Sequence, residues 1–382
     1  MNKYTISAAL ACLSTAQAIE TKIPYLSIQG EFVHETTSVI SGGVNEKTSS
    51  RELLVIDAEL DLEKSLKIPG GTLFAQFQHA TAERGGTMDT GDIQAFSNLE
   101  LESSVDELYE FWYQQELFNG KLRLKVGKVD ANTEFNYVNA AGGFANSSGG
   151  FSPTIFTFPT YPNPAMSVNL FWQPTDTVTL SYGYYDGLNA VDGIETGKLG
   201  PSTFFSSDKS DDYFHILQIE KEWSELGSLG AGRASAGIWH HTGDFATFSG
   251  GTDSGTTGFF LTFEQQLIGT TEDQGYFGFA QYGWADEEVS EIAQHIAFGL
   301  VARSTGITRE GDEAGIYVSY VDLSDEAGAG FSKDETAIDL YYNFSMNDSF
   351  SLQPEIQYIF NPSGSAVLDD AFVAGIRASI TF

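Results

Sequence analysis

Two neighbouring stretches of the chain place ionisable side chains of opposite sign at alternate positions. In the first, Glu110, Trp112, Gln114 and Glu116 interleave with Tyr109, Phe111 and Tyr113; in the second, Lys121, Arg123 and Lys125 interleave with Leu122, Leu124 and Val126. A period of two is that of a strand, so each set shares one face. With the strands adjacent, acids would face bases beside an indole. Such a grouping sets up a transverse field, a bidentate fork for hydroxyl groups and an aromatic plane for stacking. The same charges could equally do no more than neutralise one another in a wet interior, and sequence leaves both roles open. A register slip of one residue would turn Trp112 to the other face, as an interfacial belt residue. Directly downstream, Asp130, Asn132 and Glu134 open a long connection, 129–164. Arg233, Arg303, Arg377 and Glu264 fall on the same interior-facing parity of their own strands and read as wall residues.

Catalytic chemistry finds no comparable grouping. The histidines, at positions 34, 79, 215, 240, 241 and 295, are scattered, and neither a Gly-x-Ser-x-Gly elbow nor a His-Glu-x-x-His motif is present. His240 and His241 are adjacent in a strand and so point to opposite faces, a poor ligand pair. No enzyme is expected, and no cofactor. Acids cluster at Asp208, Asp211 and Asp212 and at Asp322, Asp325 and Glu326, where oxygen ligands could take calcium or bridge lipopolysaccharide through divalent ions. Their spacing is not that of an EF-hand, solvated loop acids are the commoner case, and no metal is assigned.

Composition narrows the classes further. Asp and Glu number 52 against 19 Lys and Arg, a net charge of −33, which excludes a nucleic-acid partner bound through its phosphates. With 29 Phe, 17 Tyr, 5 Trp and 40 Gly in 382 residues, the chain is large, β-rich and aromatic-faced rather than disordered. No stretch is long and apolar enough for a transmembrane helix, which does not argue against a membrane barrel.

The elements that must position the charged faces are strands throughout. Phe372, Ala374, Ile376, Ala378, Ile380 and Phe382 alternate with Val373, Gly375, Arg377, Ser379 and Thr381; Leu352, Pro354, Ile356, Tyr358 and Phe360 alternate with Gln353, Glu355 and Gln357. The pattern runs for about eleven residues with aromatics at the ends of the apolar face, the requirement for a tilted strand crossing a thin bilayer. Sixteen such segments are read, at roughly 23–34, 50–62, 72–80, 104–118, 121–128, 165–173, 177–186, 213–223, 230–241, 257–268, 274–284, 293–303, 314–322, 335–345, 348–360 and 370–382. The fold class is therefore all-β, a 16-stranded antiparallel transmembrane β-barrel. Short turns such as Asn119-Gly120 alternate with long connections such as 129–164 and 187–212, so the two kinds fall on opposite rims, a moderately long turn near 304–313 excepted. Closure of strand sixteen on strand one would leave no unpaired backbone in lipid.

The first 18 residues read as a secretion signal: Lys3, an apolar Ile6–Leu13 and a small-x-small site at Ala16-Gln17-Ala18, with 19–382 as the barrel domain. Cys12, the one cysteine, lies inside this segment; lipid modification there is the alternative, but Ala9-Leu10-Ala11 makes a poor lipobox.

The connection 129–164 adds identity to architecture. Val126-Gly127-Lys128 running into Asp130-Ala131-Asn132 and Glu134-Phe135, then Asn146-Ser147-Ser148, Tyr161-Pro162-Asn163-Pro164-Ala165 and Tyr184-Tyr185-Asp186-Gly187 occur in the order found in the carbohydrate-selective porins of the OprB type, which the chain resembles. The resemblance implies a porin of the Gram-negative outer membrane whose inward-folded loops narrow a water-filled channel, passing sugars and small ions by diffusion. Outer-membrane lipid and lipopolysaccharide would surround it, with a homotrimer one possible assembly. The family's sugar-contacting residues lie outside the motifs that match, so none is carried over. Candidate pore-lining residues therefore rest on strand parity and loop position: Glu110, Trp112, Glu116, Arg123, Lys125, Asp130, Asn132, Glu134 and Arg377. The acid excess favours cations, which keeps a general cation-preferring porin as an alternative; a non-conducting adhesion barrel is the other.

Overall fold

Alternation in the sequence becomes, strand after strand, a wall with one apolar and one polar face. The computed structural model describes residues 23–82, 86–193, 196–204, 212–271 and 274–382. The expected signal segment 1–18, and Asp208 and Asp211, lie outside them. The first eight strands are β1 (Leu26–Gly43), β2 (Thr48–Asp61), β3 (Gly71–Thr81), β4 (Val105–Leu117), β5 (Leu122–Val129), β6 (Ala165–Thr175), β7 (Val178–Asp186) and β8 (Tyr213–Trp223). The rest are β9 (Gly232–Ala246), β10 (Thr252–Thr271), β11 (Gln274–Ala285), β12 (Ile292–Arg303), β13 (Glu313–Leu323), β14 (Glu335–Asn347), β15 (Phe350–Phe360) and β16 (Asp369–Thr381). These sixteen strands of the described residues form one closed antiparallel sheet in which each pairs with its sequence neighbours and β16 returns to β1.

All sixteen expected segments are strands, though three run further than expected. β1 continues to Gly43, β9 to Ala246, and β10 covers Thr252–Thr271. The extensions carry polar residues that bond sideways across the pair, as Thr36 Oγ1 does with Ser50 Oγ at 2.9 Å and Ser38 Oγ with Thr48 Oγ1 at 2.7 Å. Beyond the bilayer neither face has to be apolar, so alternation gives no signal there.

Outward positions hold a band of half-exposed leucines, among them Leu108, Leu170, Leu217, Leu261 and Leu300. Facing lipid, they need no further burial. The seam is stitched by the chain's last residue: Gly30 N donates to Phe382 O at 2.8 Å and Phe382 N to Gly30 O at 2.9 Å. Glycine at position 30 leaves room for the terminal ring: a Cβ there would lie 2.3 Å from Phe382 Cε2, so the ring would have to turn aside.

The inner face departs from the simple rule of polar residues inside. Tyr185, Phe214, Trp239, Phe260, Phe279, Tyr317 and Tyr341 all turn inward and are almost fully buried, although no other strand lies against them. What covers them is the chain's own loops. Glycines on neighbouring strands make room: a Cβ at Gly315 would meet Tyr341 Cε1 at 2.5 Å and Phe144 Cζ at 2.7 Å. A second departure is local. The β3–β4 register slips between Gln76↔Glu110 and Phe77↔Leu108, which leaves Tyr109 as the extra residue of a bulge. Tyr109, expected on the face opposite Glu110, therefore points inward beside it and is 3% exposed.

Candidate functional site: a constriction built by two inward loops

The connection 130–164, here loop 3, folds into the bore and follows the inner wall away from β5. Its backbone is held strand by strand. Asn136 N donates to Gln218 of β8 at 3.0 Å, and Asn139 N and Ala140 N donate to the Glu264 carboxylate of β10 at 3.0 and 2.7 Å. Arg233 of β9 donates to Glu264 and to Tyr137 O, both at 2.6 Å, and its guanidinium lies 3.9 Å from the Tyr137 ring centre. Phe144 then inserts among Phe279, Tyr317 and Tyr341, with centroids 5.9, 5.0 and 4.8 Å away. Further on, Gly143 O and Asn146 Nδ2 reach Gln353 and Gln357 of β15 at 2.9 and 3.3 Å. The loop returns past His295, whose Nδ1 is 3.2 Å from Ser152 Oγ, and packs Phe158 against Phe214. Arg233 and Glu264 are thus wall residues, as expected, with the added task of seating this loop.

Arg123 and Lys125 clasp a loop acid rather than the expected Glu110 and Glu116; the strand-four acid that does pair with a strand-five base is Glu107, with Lys128 at 2.7 Å. Arg123 donates to both oxygens of Glu134, at 3.0 and 2.7 Å, and Lys125 pairs with the same carboxylate. Arg123 also donates to Gln114 at 3.1 Å and lies 3.6 Å from the Phe171 ring centre. Lys125 sits 3.9 Å over Trp112, which stacks on Phe74 at 4.7 Å and 17°. Trp112 therefore faces the bore, not the lipid belt. Glu110 is committed elsewhere, accepting from Asp130 N at 2.9 Å, and Tyr109 donates to Asp130 as well. Glu116 stands exposed near the rim of the short turns, apart from this cluster. Asn132 lies in the turn that Asp130 caps, its side-chain amide donating to Phe135 O at 3.3 Å and Gly150 O at 3.4 Å.

Electrostatics follow from these partners. Burial alone would raise Glu134, but the hydrogen bonds and charges of Arg123 and Lys125 hold it below the ordinary 4.5. Asp130 goes the other way, raised by burial against the pull of its donors Tyr109 and Thr160. A depressed carboxylate contributes its stability above its ordinary pKa and loses it as pH falls through the lower, folded value. The clasp should thus stay shut as pH falls to the ordinary carboxylate value of 4.5 and open only below it.

A second connection, 82–104, whose described residues 86–104 are here loop 2, also enters the bore and is not part of the site expected from the sequence. Its tip bonds to the opposite wall. Ile93 N and Gln94 N donate to Glu335 of β14 at 2.9 and 3.2 Å, Ser319 donates to Gln94, and Gln357 Nε2 donates to Phe96 O at 2.6 Å. It meets loop 3 through Asn98 N to Ala145 O at 2.6 Å and Ser147 N to Ala95 O at 2.9 Å. At its end lies a second charged cluster. Arg377 of β16 donates twice to Glu35 of β1, at 3.0 and 2.6 Å, and once to Asn98 at 2.8 Å. Arg51 of β2 donates to the other Glu35 oxygen at 3.1 Å and to Glu100 of the loop at 2.5 Å. Sequence pointed to Arg377 alone. The length of 82–104, well beyond an ordinary connection, was the available signal. Asp322 accepts from Gln294 at 2.8 Å, and among the described residues no His, Asp and Glu group of three or more comes together as a metal centre.

With a closed sixteen-stranded barrel and a constriction built from its own loops established, comparison with known proteins is informative. The family model of the carbohydrate-selective porins, OprB family, matches residues 46–382. The chain belongs to this family. It is 22% identical to Porin B of Pseudomonas aeruginosa over 409 residues, covering 92% of this chain and 86% of that one. The high-pH structure of OprB from Pseudomonas putida superposes with a TM-score of 0.82 over 94% of each chain at 17% identity. A loop-deletion variant of OmpT from Vibrio cholerae gives 0.53 at 12% identity, over 94% of this chain and 99% of that one. The two superpositions speak for the fold, and the family match for the function: an outer-membrane porin for sugar diffusion.

In this OprB-family porin, loops 2 and 3 divide the bore. Above them, on the side of the long loops, is a chamber of about 850 Å³ lined by residues of both. Past them the inner wall of β2–β5 is polar, with Gln76 Nε2 donating to Asp57 at 2.7 Å and Gln114 beside Arg123. Loop 2 carries one group poised near neutrality. Asp92 is buried between Thr90 and the loop backbone that Glu335 holds, and burial raises its carboxyl from 3.8 to about 6. For a raised carboxylate, seating is fully favoured below 3.8 and that advantage is lost as pH rises through about 6. Open-channel current noise from loop 2 should therefore increase between pH 5 and pH 7.5, and Asp92→Asn should flatten most of that increase. Identical pH profiles for the two proteins would contradict the assignment.

Proposed function

We propose that the selecting element is the passage between the two charged clusters, with Arg123, Lys125, Glu134 and Trp112 on one side and Arg377 with loop 2 on the other. Glu110, Asp130 and Asn132 act behind the first cluster by fixing the entry of loop 3, and Glu116 marks the exit toward the short turns. The observation that carries this reading is the state of the charges. Each cation in the two clusters is already paired with a carboxylate, so a passing ion gains little from them, whereas hydroxyl groups still find donors and acceptors there. Binding of this kind is weak enough to release the solute, as conduction requires. Passage is passive, and the single barrel is taken as the conducting unit because its bore is lined by this chain's own residues.

Liposome swelling tests the selectivity. Glucose should enter proteoliposomes several-fold faster than an amino acid of similar size. Equal rates would make the protein a general diffusion porin without sugar preference.

A further inference from the structure

The chamber above the constriction is lined differently from the passage below it. Four aromatic residues of loop 3 border it, Phe151, Phe156, Phe158 and Tyr161, together with the amides of Asn98 and Asn132 and the carboxylates Glu100, Asp130 and Glu291. Phe156 is 41% exposed, an unusual state for a phenylalanine pointing into a water-filled bore. It is not loose: Trp239 and Phe245 meet it edge-on, at 5.9 Å and 85° and at 5.7 Å and 79°. Its free area is therefore presented to the chamber by a fixed support. Phe151 and Phe158 pack together at 5.4 Å beside it. The Tyr161 hydroxyl is buried and has no hydrogen-bond partner among the described residues.

We propose that this outer chamber is a capture subsite for oligosaccharides, set above the charged passage, in which the C–H face of a pyranose lies on Phe156 and its hydroxyls reach Asn98 and Asn132. A pyranose has apolar axial faces and a polar rim, the complement of an aromatic plane ringed by amides. The volume of about 850 Å³ lies toward the upper end of small-molecule sites, roughly 300–1,000 Å³, and has room for more than one ring. Capture here would raise the local sugar concentration at the mouth of the passage. The inference rests on the sugar-diffusion reading and adds to it a second, outer binding position.

Single channels in planar bilayers test it, with maltotriose added on the side of the long loops and polyethylene glycol of matched size as the reference blocker. Phe156→Leu keeps the bulk and removes the aromatic face. The expected result is a loss of maltotriose block by about tenfold relative to polyethylene glycol block, with Phe156→Trp restoring it. Unchanged maltotriose block in Phe156→Leu, a parallel fall for both blockers, or failure of Phe156→Trp to restore block would each overturn the subsite. Glucose swelling of the unaltered protein separates the two levels. If glucose enters and Phe156→Leu blocks normally, only the chamber proposal fails; if glucose does not enter, the sugar-diffusion reading fails and the subsite with it.

Discussion

Replacing Arg51 by alanine should release loop 2 and produce the largest change in channel behaviour of any single substitution on the inner wall. Arg51 is 2% exposed, and its guanidinium donates to Glu35, Thr37, Ser49 and Glu100 at 3.1, 3.0, 3.2 and 2.5 Å. It also lies 5.2 Å from the Phe96 ring centre, so the side chain supports the loop by packing as well as by charge. Removing one partner of a buried pair costs about 3–5 kcal/mol, because the carboxylate left behind has lost its compensation. Glu35 keeps Arg377 and Ser97, but Glu100 would face the bore without Arg51. The cheapest relief is for loop 2 to swing away and admit water. Planar-bilayer recordings of Arg51→Ala should show a larger mean conductance with frequent flicker, and the protein should melt at a lower temperature in detergent. Arg51→Lys should recover only part of the loss, since one ammonium cannot bridge Glu35 and Glu100 as the planar fork does. A variant with quiet currents of normal size would show that loop 2 is held without Arg51, by its contacts to β13–β16 and loop 3.

Arg123→Ala should change ion selectivity and sugar block together. The substitution deletes the two-pronged hold on Glu134 and the contact with Phe171, leaving Glu134 to Lys125. The passage then carries one positive charge fewer, so reversal potentials in a salt gradient should move toward cations by several-fold in permeability ratio, as lumen charges tune selectivity in barrels. The lost donors should weaken sugar block in the same recordings. Glu134→Gln offers the opposite arm, freeing Arg123 and Lys125 and moving selectivity toward anions. If Arg123→Ala alters ion preference while sugar block stays the same, the arginine is part of the wall and not of the sugar path.

Much of the barrel was legible because lipid enforces it. Leu108, Leu170 and Leu300 must meet hydrocarbon and their neighbours must not, so the period of two survives in every strand that crosses. The constriction was legible only in part. Arg123, Lys125 and Trp112 lie on the expected face, since strand parity decides it. Their partner was not, because pairing across the bore depends on where loop 3 returns, and Glu134 lies eleven residues beyond Arg123 with no periodic relation to it. Tyr109 was misplaced for a related reason: one extra residue in a bulge reverses the parity on which the reading relied. The inward rings of Phe214, Trp239 and Tyr341 escaped because aromatic residues in a porin strand read as lipid-facing by default. In this chain they are the inner half of a core whose other half is Phe135, Phe144 and Phe158 of loop 3.

That core has an implication for how the protein is made. Loop 3 is synthesised after five strands, yet the groups that seat it, from Gln218 on β8 to Gln357 on β15, belong to eight strands still to come. A half-finished sheet can hold only the first turn of the loop, at Arg123 and Asp130, and would leave a wide hole. The filter is therefore completed at almost the same moment as the cylinder, when β15 is in place and Phe382 zips against Gly30. Biogenesis and sieving become one event, and a chain truncated near its C-terminus would lose its molecular-weight cutoff along with its seam.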